Sequence, residues 1–85
     1  YITVTDDEII QSIAELGRMG VFAEPAGAAA YAGLVKAAGL GGVGGDDPVL
    51  VLNTGSGLKD VRAAMQAVPS APIIEPTLEA VKRIL

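Results

Sequence analysis

An α/β architecture, with few parallel strands and packed helices, is the fold class that this 85-residue sequence predicts. Three observations carry the expectation. Val49-Leu50-Val51-Leu52 is an unbroken apolar run, as in a strand covered on both faces. Stretches with helical apolar spacing lie on both sides of it, in the order helix, helix, strand, helix. The run then passes into Asn53-Thr54-Gly55-Ser56-Gly57, which puts Thr54 at the carboxyl end of the strand. Open α/β sheets bind their ligands at that end.

Along the chain, Tyr1-Ile2-Thr3-Val4 alternates weakly and reads as a short strand or lead-in. Thr5-Asp6-Asp7-Glu8 matches a capping box, and its acids suit the positive end of a helix dipole. Ile9, Ile13 and Leu16, joined by Ile10, then share one face of a helix that should run to about Arg18 and stop at Gly20. Val21-Phe22-Ala23 is a brief extended segment. Pro25 suits the first position of a helix from Ala26 to Ala38, with Gly39 as its C-cap. Gly27 and Gly33 would weaken that helix in isolation, so they hint at close packing against another element. Ser56 is placed to cap a helix burying Val61, Ala64, Met65 and Val68 and ended by Pro69. Pro72-Ile73-Ile74 reads as extended or loop, and Thr77 caps a last helix using Leu78, Val81 and Leu85.

Composition narrows the function. Hydrophobic residues make up 51%, yet Tyr1, Phe22 and Tyr31 are the whole aromatic complement. Alanine and glycine give close-packed faces with little bulk, and burial stabilises by about 25 cal/mol per Å². The expectation is marginal stability alone, or apolar faces that want a partner. A net charge of −4 without a basic stripe argues against nucleic acid. With no cysteine and no histidine, thiolate nucleophiles and Ser-His-Asp units are excluded within these residues. The apolar-rich stretch from Pro25 to Leu40 is broken by Lys36 and glycines and is too short to span a bilayer. No signal peptide pattern opens the chain, so a cytoplasmic setting is expected. The chain begins at Tyr1 rather than Met, which fits a fragment, a trimmed chain or a processed product.

Several motifs have a functional and a plainer reading. Gly39-Leu40-Gly41-Gly42-Val43-Gly44 spells G-x-G-x-x-G, but a helix precedes it and a strand follows. That is the reverse of the dinucleotide fingerprint, and a flexible connection is the expected role. Gly55-Ser56-Gly57-Leu58-Lys59 lacks Walker spacing. It is either a tight turn capped by Ser56 or a helix start whose N–H groups attract an anion. Asp46 and Asp47 read as solvated loop acids, and no metal site is expected. Glu24, between an apolar segment and Pro25, is either a dipole partner or a pocket-lining acid. Lys36, Lys59, Lys82 and Arg83 read mainly as surface charges.

Three blocks carry a family resemblance. Val4-Thr5-Asp6-Asp7-Glu8-Ile9 resembles a "V-T-D-x-E-I" helix opening. Gly20 to Ala29, Gly-Val-Phe-Ala-Glu-Pro-Ala-Gly-Ala-Ala, resembles "G-I-F-x-E-P-A-[GS]-A-A". Thr54-Gly55-Ser56-Gly57-Leu58-Lys59-Asp60 resembles "T-G-x-G-L-K-D". In this order they resemble the C-terminal part of threonine synthase, a fold-type II pyridoxal-phosphate (PLP) enzyme of the tryptophan synthase β-like superfamily. Residues 1–85 would then be a single, incomplete C-terminal segment of the large domain. The resemblance implies a lyase of threonine biosynthesis, converting O-phosphohomoserine and water into threonine and phosphate in the intact parent.

The resemblance also implies site residues. The hydroxyl matching Thr54 hydrogen-bonds the pyridine nitrogen of PLP. A neutral hydroxyl does not hold a proton on that nitrogen as a carboxylate does, which makes the ring a moderate electron sink. Gly55 and Gly57 would let the backbone approach the ring, and Glu24 approaches the same pocket. No catalytic residue is assigned within the chain. The family's cofactor-bearing lysine, in a Ser-x-Lys-Asp motif, and its phosphate-binding glycine loop lie far upstream of these blocks. Alone, the chain is therefore expected to be inactive, with homo-oligomer formation or self-association through exposed apolar faces. Two alternatives stay open: a threonine or serine dehydratase-like PLP enzyme, which shares the Glu-Pro-Ala-Gly segment, and a non-catalytic binding or assembly module.

Overall fold

Four α-helices make up most of the regular structure in the computed structural model, which describes residues 1–85. They are α1 (Asp6–Arg18), α2 (Pro25–Gly39), α3 (Val61–Gln66) and α4 (Leu78–Ile84), with a short 3-10 turn at Gly57–Lys59. The capping box forms as expected. Thr5 Oγ1 accepts from the Glu8 amide and Glu8 Oε1 accepts from the Thr5 amide, both at 3.1 Å. Gly20, at φ +87, lies just beyond the end of α1 in a backbone region that side-chain-bearing residues rarely adopt. Past α2 the positive φ falls on Gly41 rather than Gly39, which is the last residue of the helix itself.

The core lies where α1 and α2 pack, closed at one end by α3. Ile13 and Leu16 of α1 meet Ala23, Ala28 and Ala63, with Ile9, Ile10, Val21, Tyr31 and Ala67 packed around them. Alanine at 23, 28 and 63 lets these segments approach closely, and the large side chains buried among them are Ile13 and Leu16. The packing expected at Gly27 is present. That residue is buried, and a Cβ there would run into the Asn53 side chain. Gly33 has nothing within 4 Å on that side.

The strands of the expected α/β fold do not form. Residues 49–52 carry no ladder, and the sole β-type pairing is one isolated antiparallel bridge between Ala23 and Ser56. The physical reason is that a strand exists only beside another strand, and these 85 residues offer Val49–Leu52 no neighbour. Leu50 and Leu52 stay 83% and 67% exposed, so the run keeps its need for cover. Tyr1–Val4 likewise forms no strand.

The helix expected after Ser56 is divided. Ser56 Oγ accepts from the Leu58 amide to cap the 3-10 turn, and Asp60 Oδ1 accepts from the Ala63 amide to cap α3. Ala63 is the buried residue of α3, whereas Met65 and Val68 stay exposed. Thr77 caps α4 through the Ala80 amide, but α4 buries no residue. The shape records this. The Cα radius of gyration is 16.3 Å, against about 12 Å for a compact domain of this length. No helix is long and apolar enough to cross a membrane.

Lys36 is more than a surface charge. Its Nζ donates to the Thr3 carbonyl at 3.0 Å and to Glu8 Oε1 at 3.2 Å, tying the entry segment to α2. The Thr5 amide and then the Lys36 ammonium hold the Glu8 carboxyl below its ordinary pKa. A carboxylate lowered in this way stabilises the fold above the ordinary glutamate range and loses that contribution as pH falls through the folded value. Glu8→Gln keeps a capping-box residue but removes the charge. Its Tm is therefore expected to lie below that of the parent chain at neutral pH, and the gap should close on acidification. Thermal melts at a series of pH values check this; a pH-independent gap would contradict it.

Candidate functional site

The bridge between Ala23 and Ser56 builds the site by joining the two glycine-containing motifs. The Glu24 amide donates to the Gly55 carbonyl at 3.0 Å, and the Gly57 amide donates to the Phe22 carbonyl at 2.9 Å. Glycine is required by this approach. A Cβ on Gly55 would collide with the Glu24 carboxyl, and one on Gly57 with the Phe22 ring. Glu24 and Gly55 thus meet across the bridge, as do Phe22 and Gly57.

Thr54 lies one residue before this contact and is exposed. Its hydroxyl donates to Glu24 Oε1 at 3.2 Å across 30 residues of sequence. On the other side of the carboxylate, Lys59 Nζ stands 4.0 Å from Oε2. Glu24 is the N-cap residue of α2, yet its side chain makes no capping bond. Both carboxylate oxygens are left to Thr54 and Lys59. Glu24, Thr54, Gly55 and Gly57, singled out from the sequence as cofactor-binding residues, are therefore neighbours in space. Phe22 and Lys59 complete the cluster. Their pairing with Gly57 and Glu24 had no local signal, because it depends on a bridge between distant segments.

Hydroxyl, carboxylate and ammonium in a row form a hydrogen-bonding and charge-ordered edge, placed where two segments turn into helical structure. Such an edge presents one exposed hydroxyl whose position is fixed from behind by Glu24. Asp46 and Asp47 lie apart from it; Asp47 Oδ2 accepts from the Gly44 amide at 2.7 Å and closes the loop turn.

Residues 1–55 match the family described as pyridoxal-phosphate dependent enzyme, and the chain belongs to that family. The curated relatives it resembles are threonine synthases, as the three sequence blocks suggested. That of Methanocaldococcus jannaschii is 41% identical over 83 residues, covering 96% of this chain and 20% of the relative. That of Mycobacterium leprae is 42% identical over 71 residues, covering 82% and 20%. That of Halalkalibacterium halodurans is 40% identical over 77 residues, covering 89% and 22%. The chain thus spans about a fifth of the length of these relatives. No solved structure matches it.

The family implies PLP in the parent enzyme. The residues present fit a part of that group: a pyridine-type nitrogen makes one hydrogen bond in its ring plane, and Thr54 presents an exposed hydroxyl at this edge. The cluster includes one lysine, Lys59, and its ammonium faces the Glu24 carboxylate.

Proposed function

We propose that this chain supplies the ring-nitrogen wall of the active site in a longer PLP-dependent threonine synthase, which converts O-phosphohomoserine and water into threonine and phosphate. The observation that carries the proposal is the Thr54–Glu24 hydrogen bond, which joins the "F-A-E-P-A-G" and "T-G-S-G-L-K-D" blocks into one polar edge. When bound, the cofactor supplies an electron-accepting ring that stabilises negative charge developing on the substrate. Thr54 contacts the ring nitrogen and fixes the ring's in-plane orientation. Gly55 and Gly57 keep the bridge tight enough to hold Thr54 in place, and Glu24 braces the hydroxyl.

Thr54→Ala in the full-length enzyme tests the assignment. Loss of a hydrogen bond worth about 1–2 kcal/mol should lower cofactor affinity or kcat by roughly tenfold. Thr54→Ser, which keeps the hydroxyl, should restore most of it. Unchanged kinetics and unchanged cofactor affinity in Thr54→Ala would take Thr54 out of the site. The family match itself spans residues 1–55 and so stops short of the Leu58-Lys59-Asp60 part of the turn. That keeps a dehydratase-like parent as the second reading. Turnover of O-phosphohomoserine rather than threonine by the full-length enzyme distinguishes the first from the second.

A further inference from the structure

We propose that the furrow between α1 and α2 is a binding site for a small primary alkylammonium compound. The furrow has a volume of about 170 Å³ and shares no residue with the Thr54–Glu24 cluster. Its floor holds Ser12, which is 4% exposed yet takes part in none of the side-chain hydrogen bonds of the chain. A serine inside a helix commonly bonds the carbonyl four residues back, and the Ser12 hydroxyl does not. No fully buried polar side-chain atom of the chain lacks a partner. The Ser12 oxygen is therefore not sealed in, and its opening is the furrow that it lines. A hydroxyl so placed is costly to leave unpaired and gains most from a partner brought in from outside.

The walls decide what that partner is. Glu8, Ser12 and Glu15 are spaced four and three apart and share a face of α1. The Glu8 carboxylate is already engaged by the Lys36 ammonium, which also reaches the Thr3 carbonyl. Glu15 is half-buried and forms no ion pair. Its one side-chain contact is neutral, the Gln11 amide donating to Oε1 at 3.3 Å, so a charged carboxylate stays uncompensated beside the Ser12 hydroxyl. Both groups accept hydrogen bonds, and a primary ammonium, with three donors and a compact positive charge, matches them. A divalent cation is not matched, because no group of three acids comes together here to bind it. Across the furrow, Ala32 and Val35 of α2 give the stem of the ligand an apolar wall.

The full-length enzyme containing this segment tests the proposal by ligand-observed saturation-transfer NMR, titrated with n-butylammonium chloride at neutral pH. A ligand of this size should saturate at about the millimolar level. The uncharged stem, 1-butanol, should not saturate in that range. Glu15→Gln keeps the shape and the Gln11 contact but removes the charge, and Ser12→Ala removes the hydroxyl. Each should weaken binding by about tenfold or more, in enzyme whose fold is checked by circular dichroism. Ser12→Ala should also leave the Tm unchanged or raise it, since alanine favours a helix and no internal bond is lost. Equal binding of 1-butanol, or undiminished binding by either folded variant, overturns the proposal. So does a fall in Tm for Ser12→Ala, which would reveal a partner within the enzyme. Absence of saturable binding overturns it too, and is the result if another part of the enzyme fills the furrow.

Discussion

Leu16→Ala is expected to leave this chain largely unfolded. Ile13 and Leu16 are the only bulky side chains buried in the core, at 5% and 8% exposure; the other buried apolar residues are alanines. Truncating a buried leucine costs about 2–5 kcal/mol, because transfer free energy and a cavity term add. A core at this scale rarely supplies more than about 3–5 kcal/mol in total. Ala23, Ala28 and Ala63 have no side-chain rotamers with which to fill the void, so little relaxation is available. Far-UV circular dichroism during urea titration should show the helical signal lost at or near zero denaturant. Leu50→Ala is the matching control. That leucine is 83% exposed, and its removal should change stability by no more than about 0.5 kcal/mol. A Leu16→Ala chain as stable as the Leu50→Ala chain would show that the α1–α2 contact is not the core.

The second large effect is expected at Gly57. A Cβ there enters the Phe22 ring, and the Gly57–Phe22 hydrogen bond of 2.9 Å prevents the two backbones from separating to make room. Phe22 is 48% exposed, so its ring can swing outward, but only by giving up its packing across the bridge. Overpacking of this kind costs about 1–3 kcal/mol for Gly57→Ala, and Gly57→Val should lie at or beyond the upper end. The functional loss should exceed the loss of stability, because the same bridge holds Thr54 against Glu24. Gly33→Ala gives the contrast. Its Cβ meets nothing within 4 Å, and its helix position should gain up to about 1 kcal/mol. Urea midpoints of the three variants, beside cofactor affinity in the full-length enzyme, check the order. A neutral Gly57→Val would remove the close approach from the account of the site.

What the sequence made legible was local. Thr5 and Glu8 sit three residues apart, and that spacing alone specifies the capping box. Ile9, Ile13 and Leu16 mark the buried face of α1 by their period. Glu24, Thr54, Gly55 and Gly57 were singled out by their motifs, while the strand end expected to carry Thr54 does not form. Their mutual contacts were not legible. Nothing near Glu24 announces Thr54, 30 residues away, and nothing near Lys36 announces the Thr3 carbonyl. The expected strand at residues 49–52 failed for a related reason. An apolar run states that a segment needs cover, while strand formation requires a neighbour that the same residues do not provide. At the third helix, Ser56 and Asp60 are both good caps four residues apart. Each caps a different short element, a division that spacing alone leaves undecided.

The bridge between Ala23 and Ser56 also turns the residues between them into a closed loop. The entropy of closing a loop grows only logarithmically with length, by about 0.6 kcal/mol for each doubling. The Gly39–Gly45 stretch, exposed apart from a half-buried Val43, is therefore the place where this protein can lengthen at almost no thermodynamic cost. Residues could be inserted there, or a reporter domain spliced in, with Thr54 still delivered to Glu24. The connection is free to change in size while the geometry at its two ends is held by two hydrogen bonds.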